Sequence, residues 1–415
     1  MNPLDGIRVL DFTRVFAGPA ATQLLGDLGA EVIKVEEPGR GDEARTLGTT
    51  PASLAEHGAS ASYLAFNRNK RSVVLDLRKP EGLAVARRLA AQADVLVHNF
   101  RPGAMARWGL DWESLRAANP RLVHCSFSAY GETGPLRDVG ANDLALQAHS
   151  GLMSITGEPD RPPVRCGSAV IDLHGSLAMV GAILAALLQR ERTGEGQAVE
   201  TSLLRASAHL MSYMYTEYWL DGTERKPMGT ANHLSVPNQV VPTADGSVVI
   251  IAPSDEMWRR CARALDPESL DRPEFATAMD RRLRREELIA ALSAATRRHT
   301  SDEVVAALAP AKVNVAKVNT VGQAAQDPQL QAIGGVLELE REGRTVRTVA
   351  APFVLQAAPM RTGAAPPALG ADTEAVLAQA GFGPDDIKAL RQAGAFGWSA
   401  PRKEQHPQMH RRSKA

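Results

Sequence analysis

GIRVLDF at residues 6–12, PAATQLLGDLG at 19–29 and EVIKVE at 31–36 read as strand, helix and strand. The two outer runs are short, apolar and rich in β-branched residues, as strands buried on both faces are. The middle run opens on proline, which tolerates the first helical turn, and closes on glycine, which ends helices. A strand, a helix and a strand in succession form a crossover, which lays the strands parallel. The pattern recurs as strand 72–77, helix 80–93, strand 94–99, helix 112–118 and strand 121–128. The fold class is therefore α/β, a wound and mostly parallel sheet.

Further on, residues 176–192 read as an apolar helix, 197–202 as a strand and 203–220 as a helix rich in Met and Tyr. The polar stretch 221–238 carries Gly222, Pro227, Gly229 and Pro237 and reads as a linker or an active-site loop. A strand at 248–252 and helices at 256–264, 281–299 and 301–309 make a smaller α+β domain. Strand-like segments at 335–339 and 344–349 and a helix at 373–380 follow. The expected layout is a large α/β domain at 1–220, a small domain at 221–330, a segment returning to the large domain at 331–400, and a disordered tail at 401–415.

Composition narrows the function. The chain has 47 Lys+Arg against 47 Asp+Glu, which disfavours a general nucleic-acid binder. Its three cysteines, Cys125, Cys166 and Cys261, form no CxxC pair, so neither a disulfide framework nor a structural zinc site is supported and a reducing cytoplasm fits. The most apolar stretch, 176–188, is shorter than a bilayer span and reads as a buried helix, so no membrane partner is expected. The first turn, residues 13–19, lacks G-x-G-x-x-G, and neither a Walker loop nor a G-x-S-x-G elbow occurs.

Chemistry concentrates in GSAVIDLHG, residues 167–175. Asp172 stands just before an apolar helical run, where it reads as an N-cap. The helix dipole there favours an ionised carboxylate, and such a carboxylate can attack a carbonyl carbon. His149 and His174 read as packed residues rather than general bases. Tyr213, Tyr215, Tyr218 and Trp219, at helical spacing, read as core or interface.

Several strings resemble the class III CoA-transferases, the family of formyl-CoA and carnitine CoA-transferases. They are GPAATQLLGDLGAEVIKVE (18–36), NRNKRSVVLDLRKPEG (67–82), VHNFRPG (97–103), SAYGETGP (128–135), QAHSGLMSITG (147–157), PPVRCGSAVIDLHG (162–175) and RTGEGQAVETSLL (192–204). QDPQLQA (326–332) and APF (351–353) continue the order, more sparsely. The resemblance implies an interwoven homodimer and an acyl-CoA thioester as substrate, with no permanently bound cofactor. It implies Asp172 as nucleophile in a ping-pong exchange through an aspartyl-CoA thioester. The implied CoA contacts are Val15, Ala17, Leu75, Arg78, Asn99, Phe100 and Arg107. Gly229, Asn232, His233, Asn142 and Gln147 are substrate or oxyanion candidates, with the loop PMGTANH (227–233) as a source of N–H donors.

Two departures stand out: some relatives have a longer glycine run in that loop, and some have a basic residue where this chain has Glu37. The related 2-methylacyl-CoA racemases need an acid/base pair with a histidine where this chain has Asn142, and Asn cannot exchange a proton near neutral pH. Transfer is thus favoured over racemisation. MGTANHLSVPNQVV (228–241) resembles the corresponding loop of succinyl-CoA-dependent dicarboxylate transferases. A distal carboxylate would need Asn232, His233, Asn142 or Arg165.

Overall fold

The structure is a computed structural model and describes residues 1–397 except 359 and 362. The tail expected at 401–415 lies outside the described residues. Two compact units result. The first comprises Met1–Ser150, Ser168–Ser212 and the described residues from Gly334 on; the second comprises Gly151–Gly167 and Tyr213–Ile333. Residues 151–167 and 213–220, assigned to the large domain from sequence, belong instead to the second unit.

The first unit is built on six strands: β1 (Arg8–Asp11), β2 (Glu31–Glu36), β3 (Lys70–Val74), β4 (Val95–His98), β5 (Val123–Ser128) and β6 (Gln197–Ser202). Their order is β3-β2-β1-β4-β5-β6 and every pairing is parallel. Register explains the apolar runs. Val9 lies opposite Val32 and Val95, and all three enter one core; Leu10 lies opposite Ile33 and Leu96, and these enter the other. Helices α1 (Ala17–Asp27), α5 (Val170–Thr193) and α6 (Leu203–Leu210) fill the first core, while α2 (Pro80–Ala91) and α3 (Ala104–Trp108) fill the second. The order reverses between β1 and β4, and a wound sheet presents its ligand crevice beyond the carboxyl ends at that point.

Three boundaries differ from the sequence reading. β3 begins at Lys70, not 72, because the Lys70 ammonium is buried on Asp11 at 3.1 Å and on the Pro19 carbonyl at 2.9 Å. The expected helix 203–220 breaks at Met211 into α6 and α7 (Ser212–Asp221), and α7 buries no residue. Helix α5 starts six residues earlier than expected and runs for 24 residues. By length and composition alone it could cross a membrane; here it packs against α1, α6, β5 and β6.

The second unit holds an antiparallel sheet of β7 (Asn238–Pro242), β8 (Ser247–Ile251) and β9 (Asn314–Lys317) over a core that includes Trp258, Phe275 and Leu288. The hairpin β10 (Val336–Arg341) and β11 (Arg344–Val349) and the helix Thr373–Gln379 return to the first unit.

Candidate active site

The start of α5 is made by another helix. Ala169 precedes it and offers no side-chain cap. Asp143, at the start of α4 (Asp143–His149), supplies the acceptor instead. Its Oδ2 accepts from the N–H groups of Ile171 at 2.8 Å and Asp172 at 3.1 Å. Its Oδ1 accepts from Gln147 Nε2 at 2.5 Å, one turn along α4. Asn142 caps α4, its Oδ1 accepting from the Ala145 N–H at 3.2 Å. Asp172 therefore sits in the first turn of α5 and is not its N-cap. Asp143 does the capping.

That arrangement also corrects the expected charge of Asp172. Burial first, and the neighbouring Asp143 charge second, push its pKa up from 3.8 to about 7. A helix dipole favours the anion by about 0.3–1 kcal/mol, whereas a shift of this size corresponds to about 4 kcal/mol, so burial and repulsion win. Sequence reasoning passed over Asp143. The one available signal was an Asn-Asp pair followed by Gln four residues on, the spacing at which helical side chains meet.

Two cavities open beyond the strand ends of the first unit. The smaller, about 180 Å³, is lined by Arg14, Glu37, Leu75, Arg78, Phe100 and others. The larger, about 680 Å³, includes Asn99, Phe100, Ser128 and Asn142 in its wall. Since Asn142 directly precedes Asp143, this cavity borders the network that holds the start of α5. Phe100 belongs to both, edge-on to Trp108 at 5.2 Å.

The structure thus gathers Leu75, Arg78, Asn99, Phe100 and Asn142 around these cavities. Arg78 is mostly exposed and pairs with Asp76 at 2.8 Å. Asn99 turns its amide onto the Arg14 backbone. Ala17 is buried in the apolar core beside α5, and Arg107 is exposed on α3, outside both walls. Arg14 was missed although its string was read: its guanidinium lies 5.1 Å over the Phe100 ring.

Gly229, Asn232 and His233 lie in the second unit. The Gly229 N–H donates to the Gly157 carbonyl at 2.8 Å and the Asn232 N–H to the Asn238 carbonyl at 2.9 Å, so both donors are engaged within that unit. Arg165 is exposed there. His149 is exposed, against Tyr130 at 5.2 Å, and His174 is only half-buried, stacked on His209 at 5.1 Å; neither is the packed core residue expected. Tyr213, Tyr218 and Trp219 are exposed on α7 and are not core.

A parallel wound sheet has its crevice at the β1–β4 reversal, and Asn142 in the wall of the larger cavity leads into the Asp143 contacts that hold the start of α5, where Asp172 is half-buried. The model of CoA-transferase family III matches residues 4–373, and the chain belongs to that family. It is a CoA-transferase. It is 38% identical over 381 residues to the succinate–glutarate CoA-transferase of Agrobacterium fabrum, covering 91% of this chain and 95% of that one. It is 36% identical to the human succinyl-CoA:glutarate CoA-transferase, covering 91% and 86%. The succinyl-CoA–D-citramalate CoA-transferase of Chloroflexus aurantiacus is 39% identical over 81% of this chain and 84% of its own. A solved CAIB/BAIF family protein from Brucella suis superposes with a TM-score of 0.83 at 35% identity, covering 92% of this chain and all of that one.

Proposed function

We propose that this chain moves CoA from succinyl-CoA to a dicarboxylate, through an aspartyl-CoA thioester on Asp172. The observation that carries the reading is the Asp143–Asp172 arrangement: one carboxylate holds the helix start and the other is left over for chemistry. The carboxylate of Asp172 attacks the thioester carbon, expelling CoA thiolate and leaving a mixed anhydride. The thiolate attacks the aspartyl carbonyl, releasing succinate and forming the aspartyl-CoA thioester. The acceptor carboxylate repeats these steps in reverse and restores Asp172. One thioester replaces another, so the exchange needs no outside energy source. Each attack builds negative charge on a carbonyl oxygen, which N–H donors must meet.

The choice of a dicarboxylate is supported by the relatives named for glutarate and citramalate. A homodimer belongs to the same proposal, and the exposed aromatic face of α7 supports it.

The test incubates the protein with succinyl-CoA and a panel of mono- and dicarboxylates, following new acyl-CoA species by mass spectrometry. Glutarate or a close analogue is expected to accept CoA, and Asp172→Ala to stop transfer while the protein stays folded. Transfer that survives in Asp172→Ala would remove the nucleophile assignment. Deuterium entering beside the thioester of a branched acyl-CoA, with no acid accepting CoA, would establish racemisation instead.

A further inference from the structure

Between β1 and α1 runs a turn whose backbone is gripped by side chains at five successive polar groups. The Thr13 N–H donates to Asp11 Oδ1 at 2.8 Å, and the Thr13 carbonyl accepts from Lys34 Nζ at 2.8 Å. Asn99 grips Arg14 twice: Oδ1 accepts from its N–H at 2.9 Å and Nδ2 donates to its carbonyl at 2.9 Å. The Val15 N–H donates to Asp42 Oδ1 at 3.0 Å. Val15 has φ of 70°, in the left-handed region that β-branched residues rarely enter. Glycine or asparagine would occupy that conformation more readily.

The grip is built from buried charge. Lys34 and Asp42 pair at 2.8 Å, and both are almost wholly buried. Strain of this kind persists only where the surroundings over-determine it, and it gathers at functional sites. Here it sits at the reversal point of the sheet, one residue after Arg14, whose guanidinium covers Phe100 and lines the smaller cavity with Leu75 and Arg78. Glu36, Glu37 and Asp76 also line that cavity; Arg45 pairs with Glu36 and Arg78 with Asp76, so among the described residues Arg14 is the lining cation with no ion pair.

We infer that Asp42 is a positioning residue for the coenzyme. Through the Val15 N–H it locks the left-handed turn that aims Arg14 at the phosphates of acyl-CoA. The inference rests on the CoA-transfer reading above. Asp42→Ala removes the acceptor and frees the Val15 N–H.

The experiment measures KM for succinyl-CoA, kcat and thermal stability in the full chain. Asp42→Ala is expected to raise KM about tenfold, the loss of one well-aimed charge-assisted contact, with kcat little changed. Arg14→Ala removes the aimed cation and leaves the turn in place, and should raise KM to the same extent. An Asp42→Ala protein that loses stability alone overturns the inference, as does an Arg14→Ala protein with unchanged KM. Should Asp42→Ala fail to fold, Arg14→Ala still decides. Titration calorimetry with free CoA separates this proposal from the one it rests on. A parent protein that binds CoA without transferring it removes the transfer reading, and the Kd values of the variants then judge the turn.

Discussion

Asp172→Asn should stabilise the first unit, and the gain should depend on pH. The carboxyl group has a pKa of about 7 in the folded chain against 3.8 for an ordinary aspartate. A raised acid pKa means that the folded state holds the proton more tightly than the unfolded one. The group therefore costs nothing below about pH 4, where both states are protonated. As pH rises toward 7 the unfolded chain ionises freely while the folded chain resists, and stability falls. Over that window the loss approaches about 3–4 kcal/mol, from the difference in pKa at about 1.4 kcal/mol per unit. Asparagine has no charge to bury, so the gain should be about 0.5 kcal/mol at pH 4 and several kcal/mol at pH 8. Urea unfolding of freshly prepared parent and variant at pH 4.5 and pH 8 measures it, before deamidation can restore the acid. An equal stability difference at both pH values would refute the buried-acid argument. A variant less stable at pH 8 would mean that the ionised carboxylate is satisfied in the folded chain.

Asp143→Ala removes the acceptor for two N–H groups of α5 and should cost about 1–2 kcal/mol, the range for a lost helix cap, measurable by urea unfolding. The same change deletes the negative charge beside Asp172, so the acid limb of the transfer rate should move to lower pH; a limb that does not move would leave burial as the sole cause. Gly18→Ala would place a methyl group 2.2 Å from Thr13 Cβ, and Thr13 is tied to Asp11 through its hydroxyl at 2.5 Å, so neither can give way easily. A loss of about 1–3 kcal/mol or more is expected from overpacking, read by thermal unfolding.

The wound sheet was legible because its strands are buried on both faces and write themselves as apolar runs separated by helices. Legibility failed where a tertiary partner overturned a local rule. The sequence reading began this strand at residue 72, yet Lys70 lies inside the sheet because Asp11, Asn67 and the Pro19 carbonyl receive its ammonium. The excursion 151–167 carries no composition that marks it as part of the second unit; only its contacts do so. Asp172 could be picked out by its place beside an apolar helix and by resemblance. Asp143 could not, since the N–H groups it accepts from lie 28 and 29 residues further along the chain.

Asp143 also explains why a raised pKa is no handicap to a carboxylate nucleophile. Asp143 accepts both N–H groups at the start of α5, and its charge adds to burial in raising the Asp172 pKa. An aspartate at its ordinary pKa would be fully ionised at neutrality. It would also be a weaker base by about a thousandfold, the ratio implied by three pKa units. With its pKa raised to about 7, Asp172 stays partly ionised near neutral pH, and each ionised copy is the stronger electron donor. Reactivity gained outweighs population lost until the pKa passes the working pH, and the best compromise lies near that pH. The capping carboxylate and the proposed nucleophile thus share one helix start: Asp143 holds the turn that carries Asp172, and its charge adds to burial in raising the Asp172 pKa.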